Sequence, residues 1–175
     1  MASNPEASVT PTVKRRVISM VYEVFLLLSV EMLATAAYML ITGNRHDPIF
    51  QYARNVFLFL VAGAYFTWCW TDSGHTLAMK TWRIKVVLPG YARVPFRVAA
   101  VRYLLAWGWF LPALLVCAAT GLHDKSQIAV AVLIGMVGWG ATAFFDRDRQ
   151  FLHDRLAGTR LVAIPKQARK LAEAA

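Results

Sequence analysis

The stretch KRRVISMVYEVFLLLSVEMLATAAYMLIT, residues 14–42, decides the fold. A basic cluster, Lys14, Arg15 and Arg16, opens an apolar run of about 25 residues that contains two acids, Glu23 and Glu31. A hydrocarbon core ~30 Å thick needs ~20 apolar residues of helix, so residues 17–41 are long enough to cross it. A charged acid inside such a helix costs from about 2.5 kcal/mol upward and therefore faces a bundle interior or a wet cavity. Glu23 needs a partner, and finding it is the central question of the sequence.

The rest of the chain supports an all-α membrane protein with four transmembrane helices, at about 17–41, 55–70, 98–122 and 126–145. The run at 17–41 is too long for a signal-peptide core and is expected to be retained. A turn-rich polar loop, 43–48, leads to the second span, which ends at Trp68 and Trp70, ring types that favour the headgroup layer. Residues 71–95 carry Lys80, Arg83, Lys85 and Arg93 and cannot span. Within them Trp82–Val87 alternates apolar and basic residues, which predicts a short strand or an interfacial segment. The third span holds Arg102, Trp107, Trp109 and Pro112, and the proline predicts a kink. His123-Asp124-Lys125 makes a minimal turn into the fourth span, where Gly135, Gly138 and Gly140 allow close helix approach. Residues 161–164 read as a second short strand, and the two strands are expected to form a small cytoplasmic cap. The domain therefore covers 14–164, between a polar tail at 1–13, expected to be disordered, and a cytoplasmic tail at 165–175.

Charge orients this plan. Sixteen of the nineteen Lys and Arg residues flank the ends and the central loop, while Arg45, Arg54 and Lys125 fall on the other side. The positive-inside rule then places both termini in the cytoplasm. The net charge of +9 is thus explained without nucleic acid, because no basic amphipathic face forms. The basic loops suit anionic lipid headgroups, at about 1 kcal/mol per residue. Cys69 and Cys117 lie inside apolar segments and indicate neither a disulfide framework nor a metal site.

Three ordered motifs carry a resemblance. Arg16 with Glu23 seven residues later, Gly74-His75-Thr76-Leu77-Ala78, and His153-Asp154-Arg155-Leu156-Ala157-Gly158-Thr159 resemble the RDD family of membrane proteins. The family's first acid is usually Asp, and His75 and Ala78 stand where Gln and Gly are usual. Glu23 keeps the charge but moves the carboxylate by about one methylene, a change that an ion pair tolerates better than a tightly fitted ion site. The resemblance implies a cytoplasmic-membrane protein linked to transport, with no settled ligand and no enzymatic activity.

Among the charged residues, Arg16 and Glu23 share a helix face but stand ~10 Å apart along the axis, too far to pair directly. Arg16 near a span's end reads either as part of a buried-charge site or as an anchor reaching for water. Counting inward from the cytoplasmic ends puts Arg102 at a depth similar to Glu23, so a Glu23–Arg102 pair is expected. Glu31 lies ~12 Å beyond Glu23 and serves either as a second carboxylate on a cation pathway or as a neutral buried acid. Asp72, His75, His153 and Asp154 lack the spacing of a known metal site, and no cofactor is expected. Asp154, Gly158 and Thr159 read as turn-forming, through an Asp cap and a glycine at positive φ. Two functions follow: a small transporter or cation/proton exchanger, expected to be oligomeric, or a non-transporting accessory protein whose cap binds a partner. No arrangement of catalytic residues is present in the motifs, and an enzyme is not expected.

Overall fold

The computed structural model describes residues 10–43, 45 and 47–165. Most of the expected tail at 1–13, and all but the first residue of the one at 165–175, lie outside the described residues. The described chain is mostly helical: α1 (Val13–Thr42), α2 (Pro48–Asp72), α3 (Leu77–Thr81), β1 (Ile84–Val87), α4 (Phe96–Ala106), a single 3₁₀ turn (Trp107–Trp109), α5 (Leu111–Thr120), α6 (Lys125–Phe145), α7 (Leu152–Leu156) and β2 (Arg160–Ala163).

Helices α1, α2 and α6 are each long and apolar enough to cross a bilayer. Helix α4 with the 3₁₀ turn and α5 form a pair bent by 45°, which adds a fourth crossing if counted as one span. The kink expected in the third span at 98–122 is present, as a break between α4 and α5. Pro112, near the start of α5, has no N–H to give to the preceding turn and its ring excludes the carbonyl four residues back. The chain tightens into the 3₁₀ turn, Phe110 N–H bonding Trp107 O at 3.0 Å or less (2.9 Å), and Phe110 leaves helical geometry at φ −121°. The second span is also longer than expected: α2 runs 25 residues from Pro48, so the helix extends past the apolar stretch through Gln51 and Arg54.

Burial runs opposite to that of a water-soluble domain. Apolar side chains such as Leu33 (74% exposed) and Val137 (73%) point outward, where lipid receives them. Five of the eight largest fully buried side chains are polar: Arg16, Gln150, Thr76, Thr159 and Asp154. They gather at one end of the bundle, where a cap closes it.

The cap is built on the two expected strands. β1 and β2 pair antiparallel, Ile84 with Ala163, Lys85 with Val162, Val86 with Leu161 and Val87 with Arg160. Gln150 extends the pairing: its side-chain carbonyl accepts from Leu161 N–H (3.0 Å) and its amide donates to Leu161 O (3.3 Å). Ile84, Val86 and Leu161 pack with Trp70, Ala99 and Tyr103, so the sheet and the ends of α2 and α4 share one apolar core.

The glycines locate the tight crossings. Gly135 meets Ala113 across the α5–α6 hairpin and Gly140 meets Trp109, whereas nothing lies within 4 Å of a methyl placed on Gly138. The tightest crossing lies elsewhere, at Gly108, where a methyl would come within 2.3 Å of the Trp139 indole. Gly108→Ala is accordingly expected to lower stability by about 1–3 kcal/mol through overpacking, and Gly138→Ala to leave it unchanged or slightly raised. Thermal unfolding of the two variants in detergent checks this; equal melting temperatures would contradict the crossing.

Candidate functional site

Two groups of polar residues, one buried and one half-buried, lie at the junction of bundle and cap. The first begins with α7, a single helical turn that brings Asp154 under α4. The Arg102 guanidinium holds Asp154 Oδ1 twice, from Nη2 at 2.6 Å and Nε at 2.9 Å, with Arg102 5% and Asp154 0% exposed. Arg102 also lies 4.1 Å over the Trp70 ring. On the other side of Asp154, His153 Nε2 stands 3.6 Å from the same oxygen. An indole N–H can only donate, so the Trp139 Nε1 to His153 Nδ1 contact at 3.4 Å makes Nδ1 the acceptor and leaves the ring proton on Nε2. His153 stacks on Phe151 at 5.8 Å, and the Arg16 guanidinium lies 4.3 Å from the centre of the same Phe151 ring. Arg16, Phe151, His153, Asp154, Arg102 and Trp70 thus form one connected series of cations, rings and a carboxylate.

The basic opening of α1 docks on this assembly through backbone carbonyls. Arg15 donates to Trp82 O and to Arg83 O (3.0 Å), and Arg16 donates to Arg149 O. Arg83 and Arg149 are the two described non-glycine residues with positive φ, both at 52°. Such positions cost roughly 1–3 kcal/mol unless neighbours hold them, and the α1 arginines supply that hold. Arg16, 2% exposed, is therefore a buried strut and not an anchor reaching for water.

The second group surrounds Glu23. Tyr65 of α2 donates its hydroxyl to Glu23 Oε1 at 2.7 Å, and Thr76 donates to Oε2. The Thr76 oxygen also accepts from Met79 N–H at 3.2 Å as the N-cap of α3, which fixes its hydroxyl proton toward Glu23. Among the described residues no basic side chain pairs with Glu23.

The expected Glu23–Arg102 pair is thus not formed. Depth along the helices carries no azimuth: Arg102 faces Trp70 and α7, and Glu23 faces α2 and α3. Glu31 lies farther along α1, its Oε1 buried without a hydrogen-bond partner. Asp154 acts through its carboxylate on Arg102 instead of capping backbone donors. The turn itself is closed by Thr159, whose N–H bonds Asp154 O at 2.9 Å, with Gly158 at φ 69° as expected. Gly74 is also at positive φ (77°) and lies against Val86 O and the Lys85 side chain, where a methyl would clash. The acid and histidine set at Asp72, His75, His153 and Asp154 does not converge: His75 Nδ1 sits 2.9 Å from Ser73 O, and no cluster of three potential ligands occurs among the described residues. Trp70, expected at the headgroup layer, is instead 4% exposed beneath Arg102, and Tyr65, Trp139 and Phe151 join the site with no mark in the sequence, since lone aromatic residues at helical spacing carry no distinguishing signal.

Two expectations follow. Removing one partner strands the other buried charge, so Arg102→Met or Asp154→Leu alone is expected to cost about 3–5 kcal/mol, and the double substitution far less than the sum. A double-mutant cycle in detergent measures this, and additivity within about 0.5 kcal/mol would show the pair uncoupled. His153 gives a pH signature. Burial first, then the charges of Arg102 and Arg16, hold its imidazole down to about 4 from an ordinary 6.5, against the pull of Asp154. Between those values the unfolded chain binds the extra proton, so stability is intact above pH 6.5 and falls toward pH 4, by up to about 1.4 kcal/mol per pH unit. In His153→Gln, which keeps a donor and an acceptor, this part of the acid loss should vanish. A stability difference between the two proteins that does not change with pH would contradict the assignment.

Comparison with known proteins agrees with this architecture. No curated protein and no solved structure matches the chain. The model of the RDD family, whose members are membrane proteins, matches residues 10–158, which contain the first two motifs, the third as far as Gly158, and both polar groups. The chain belongs to the RDD family.

Proposed function

We propose that the protein is a cation/proton exchanger of the bacterial inner membrane, with Glu23 as the exchanging group. The observation that carries this reading is the composition of the shell around Glu23: two hydroxyls, Tyr65 and Thr76, and no cation among the described residues. A carboxylate in an otherwise apolar helix with only neutral donors has its charge unmatched, and a proton or a bound cation completes it. Hydroxyl and carboxylate oxygens are hard ligands, suited to a hard cation and poorly suited to a soft one. Competition between the two occupants for one carboxylate is the elementary step of exchange. Glu31, ~12 Å along the same helix, supplies a second carboxylate toward the opposite end.

The reading includes four crossings, with the bent α4–α5 pair as the third and both termini in the cytoplasm. The distribution of Lys and Arg supports that orientation, and the contacts of Arg15 and Arg16 with residues 82, 83 and 149 bring the start of α1 to the same end as the central loop and the tail. Four helices enclose little space, which favours an oligomer. A second reading rests on the Arg102–Asp154 pair: a charge matched this closely is structural, and a protein whose buried charges were all of that kind would be an accessory component with a partner-binding cap.

Flux distinguishes them. Purified protein in liposomes is expected to dissipate an imposed proton gradient when Na⁺ or K⁺ is added outside, and Glu23→Gln to abolish this while retaining the fold. Tyr65→Phe, which removes one donor, is expected to slow it by roughly tenfold, equivalent to about 1.4 kcal/mol. Cation-coupled flux that persists unchanged in Glu23→Gln would remove Glu23 as the exchanging group, and no flux in the wild type would favour the accessory role.

A further inference from the structure

At the end of the bundle opposite the sheet, the α1–α2 turn forms a concavity of about 190 Å³ lined by Tyr38, Thr42, Arg45, Phe50 and Arg54. Its walls are fixed by hydrogen bonds: Tyr38 OH donates to Phe50 O (2.9 Å) and Thr42 Oγ1 to Tyr38 O (2.8 Å). Arg45 lies over the Phe50 ring at 5.1 Å, a stacking that leaves the edge N–H groups of its guanidinium free to donate.

Charge makes this concavity unusual in the molecule. Among the described basic residues, Arg45, Arg54 and Lys125 fall at this end, and two of them line it. Neither Arg45 nor Arg54 has a carboxylate partner among the described residues, and Asp47, the one acid of the turn, pairs with neither. The cap offers a contrast. A concavity there is also lined by two arginines, Arg155 and Arg160, but Asp148 lies 3.3 Å from both and already matches their charge.

Depth narrows the ligand. Leu40 (85% exposed), Ile41 (84%), Ile49 (73%) and Tyr52 (71%) surround the turn, so it sits where the lipid-facing apolar surface ends and the headgroup layer begins. Two guanidinium forks without counter-ions at that level match the geometry and charge of a tetrahedral phosphate. We propose that Arg45 and Arg54 bind a phosphate group here, either the phosphodiester of a lipid headgroup, with its acyl chains along the exposed apolar residues, or free phosphate.

The test compares wild type, Arg45→Gln with Arg54→Gln, and Lys125→Gln, which removes one charge at the same end outside the concavity. Each protein is reconstituted in phosphatidylcholine nanodiscs doped with phosphatidylglycerol, and retained phosphatidylglycerol is counted by native mass spectrometry. Inorganic phosphate alone is titrated in detergent against melting temperature. Retention that falls by about fivefold per arginine, and about thirtyfold for both, with Lys125→Gln unchanged, supports the site with lipid as the source. Stabilisation by inorganic phosphate that the double variant loses, without selective lipid retention, supports it with free phosphate as the source. No binding of either, or a loss shared equally by Lys125→Gln, overturns it. Circular dichroism of each variant against wild type confirms that the helices remain, as expected for surface substitutions.

Discussion

The ion pair between Arg102 and Asp154 joins residues 52 positions apart and determines where the C-terminal segment lies. Asp154 is fully buried, and an ionised carboxylate in that setting is tolerable only with a charge-assisted partner at close range. Arg102 supplies it from the first half of the bent span. Once α7 is held under α4, the turn at Gly158 delivers residues 160–163 beside β1, and the two strands close the cap. The sheet has only two strands, too few for independent stability, so its persistence depends on this docking and on the apolar core it shares with Trp70, Ala99 and Tyr103. The direction of dependence runs from the pair to the sheet.

A bilayer accounts for why polar contacts hold the assembly. Lipid is as apolar as the outward-facing leucines, so burying more leucine between helices adds little driving force, and close packing and hydrogen bonds discriminate instead. Packing acts where Gly108 accommodates Trp139 and Gly135 meets Ala113. Hydrogen bonding acts where Arg15 and Arg16 seize the carbonyls of Arg83 and Arg149, both in left-handed conformation. These two turns present their carbonyls toward α1 because of that conformation, and the arginine donors offset its cost. The basic cluster that orients the first helix by charge therefore also locks it to the cap.

Hydropathy made the spans legible, because a run of apolar residues has one interpretation at that length; α1 and α6 fall close to their expected limits. Alternation at Trp82–Val87 and the short apolar run at 161–164 likewise led to the strands, and Pro112 to the break. What the sequence left hidden is lateral. Position along a helix follows from counting, but which neighbour a side chain faces depends on how α7 inserts and how α4 is rotated, and neither leaves a periodic trace. For this reason depth alone points Arg102 to Glu23, where the fold gives it Asp154. The partners of Glu23 were hidden for a different reason: a tyrosine and a threonine are common in any helix bundle, and nothing in their spacing marks them as donors. Gly108 escaped notice because a lone glycine beside a proline break has an adequate local explanation.

The two acids of the site divide along the line that physics draws between a matched and an unmatched charge. Asp154 meets two donors from one guanidinium at 2.6 and 2.9 Å and has a histidine beside it; removing its charge would leave Arg102 buried and alone. Such a group cannot change its occupancy without disturbing α4 and α7 together. Glu23 meets neutral hydroxyls, one of them also capping α3, so gaining or losing a positive charge there strands no buried ion. It does alter the acceptor toward which Thr76 points, and Thr76 holds the start of α3 against α1. A change in the occupant of Glu23 is thereby conveyed to the cap at its nearest helix, while Arg102 and Asp154 keep the remainder in place. In the exchange reading, that separation lets one carboxylate cycle while the fold stays fixed.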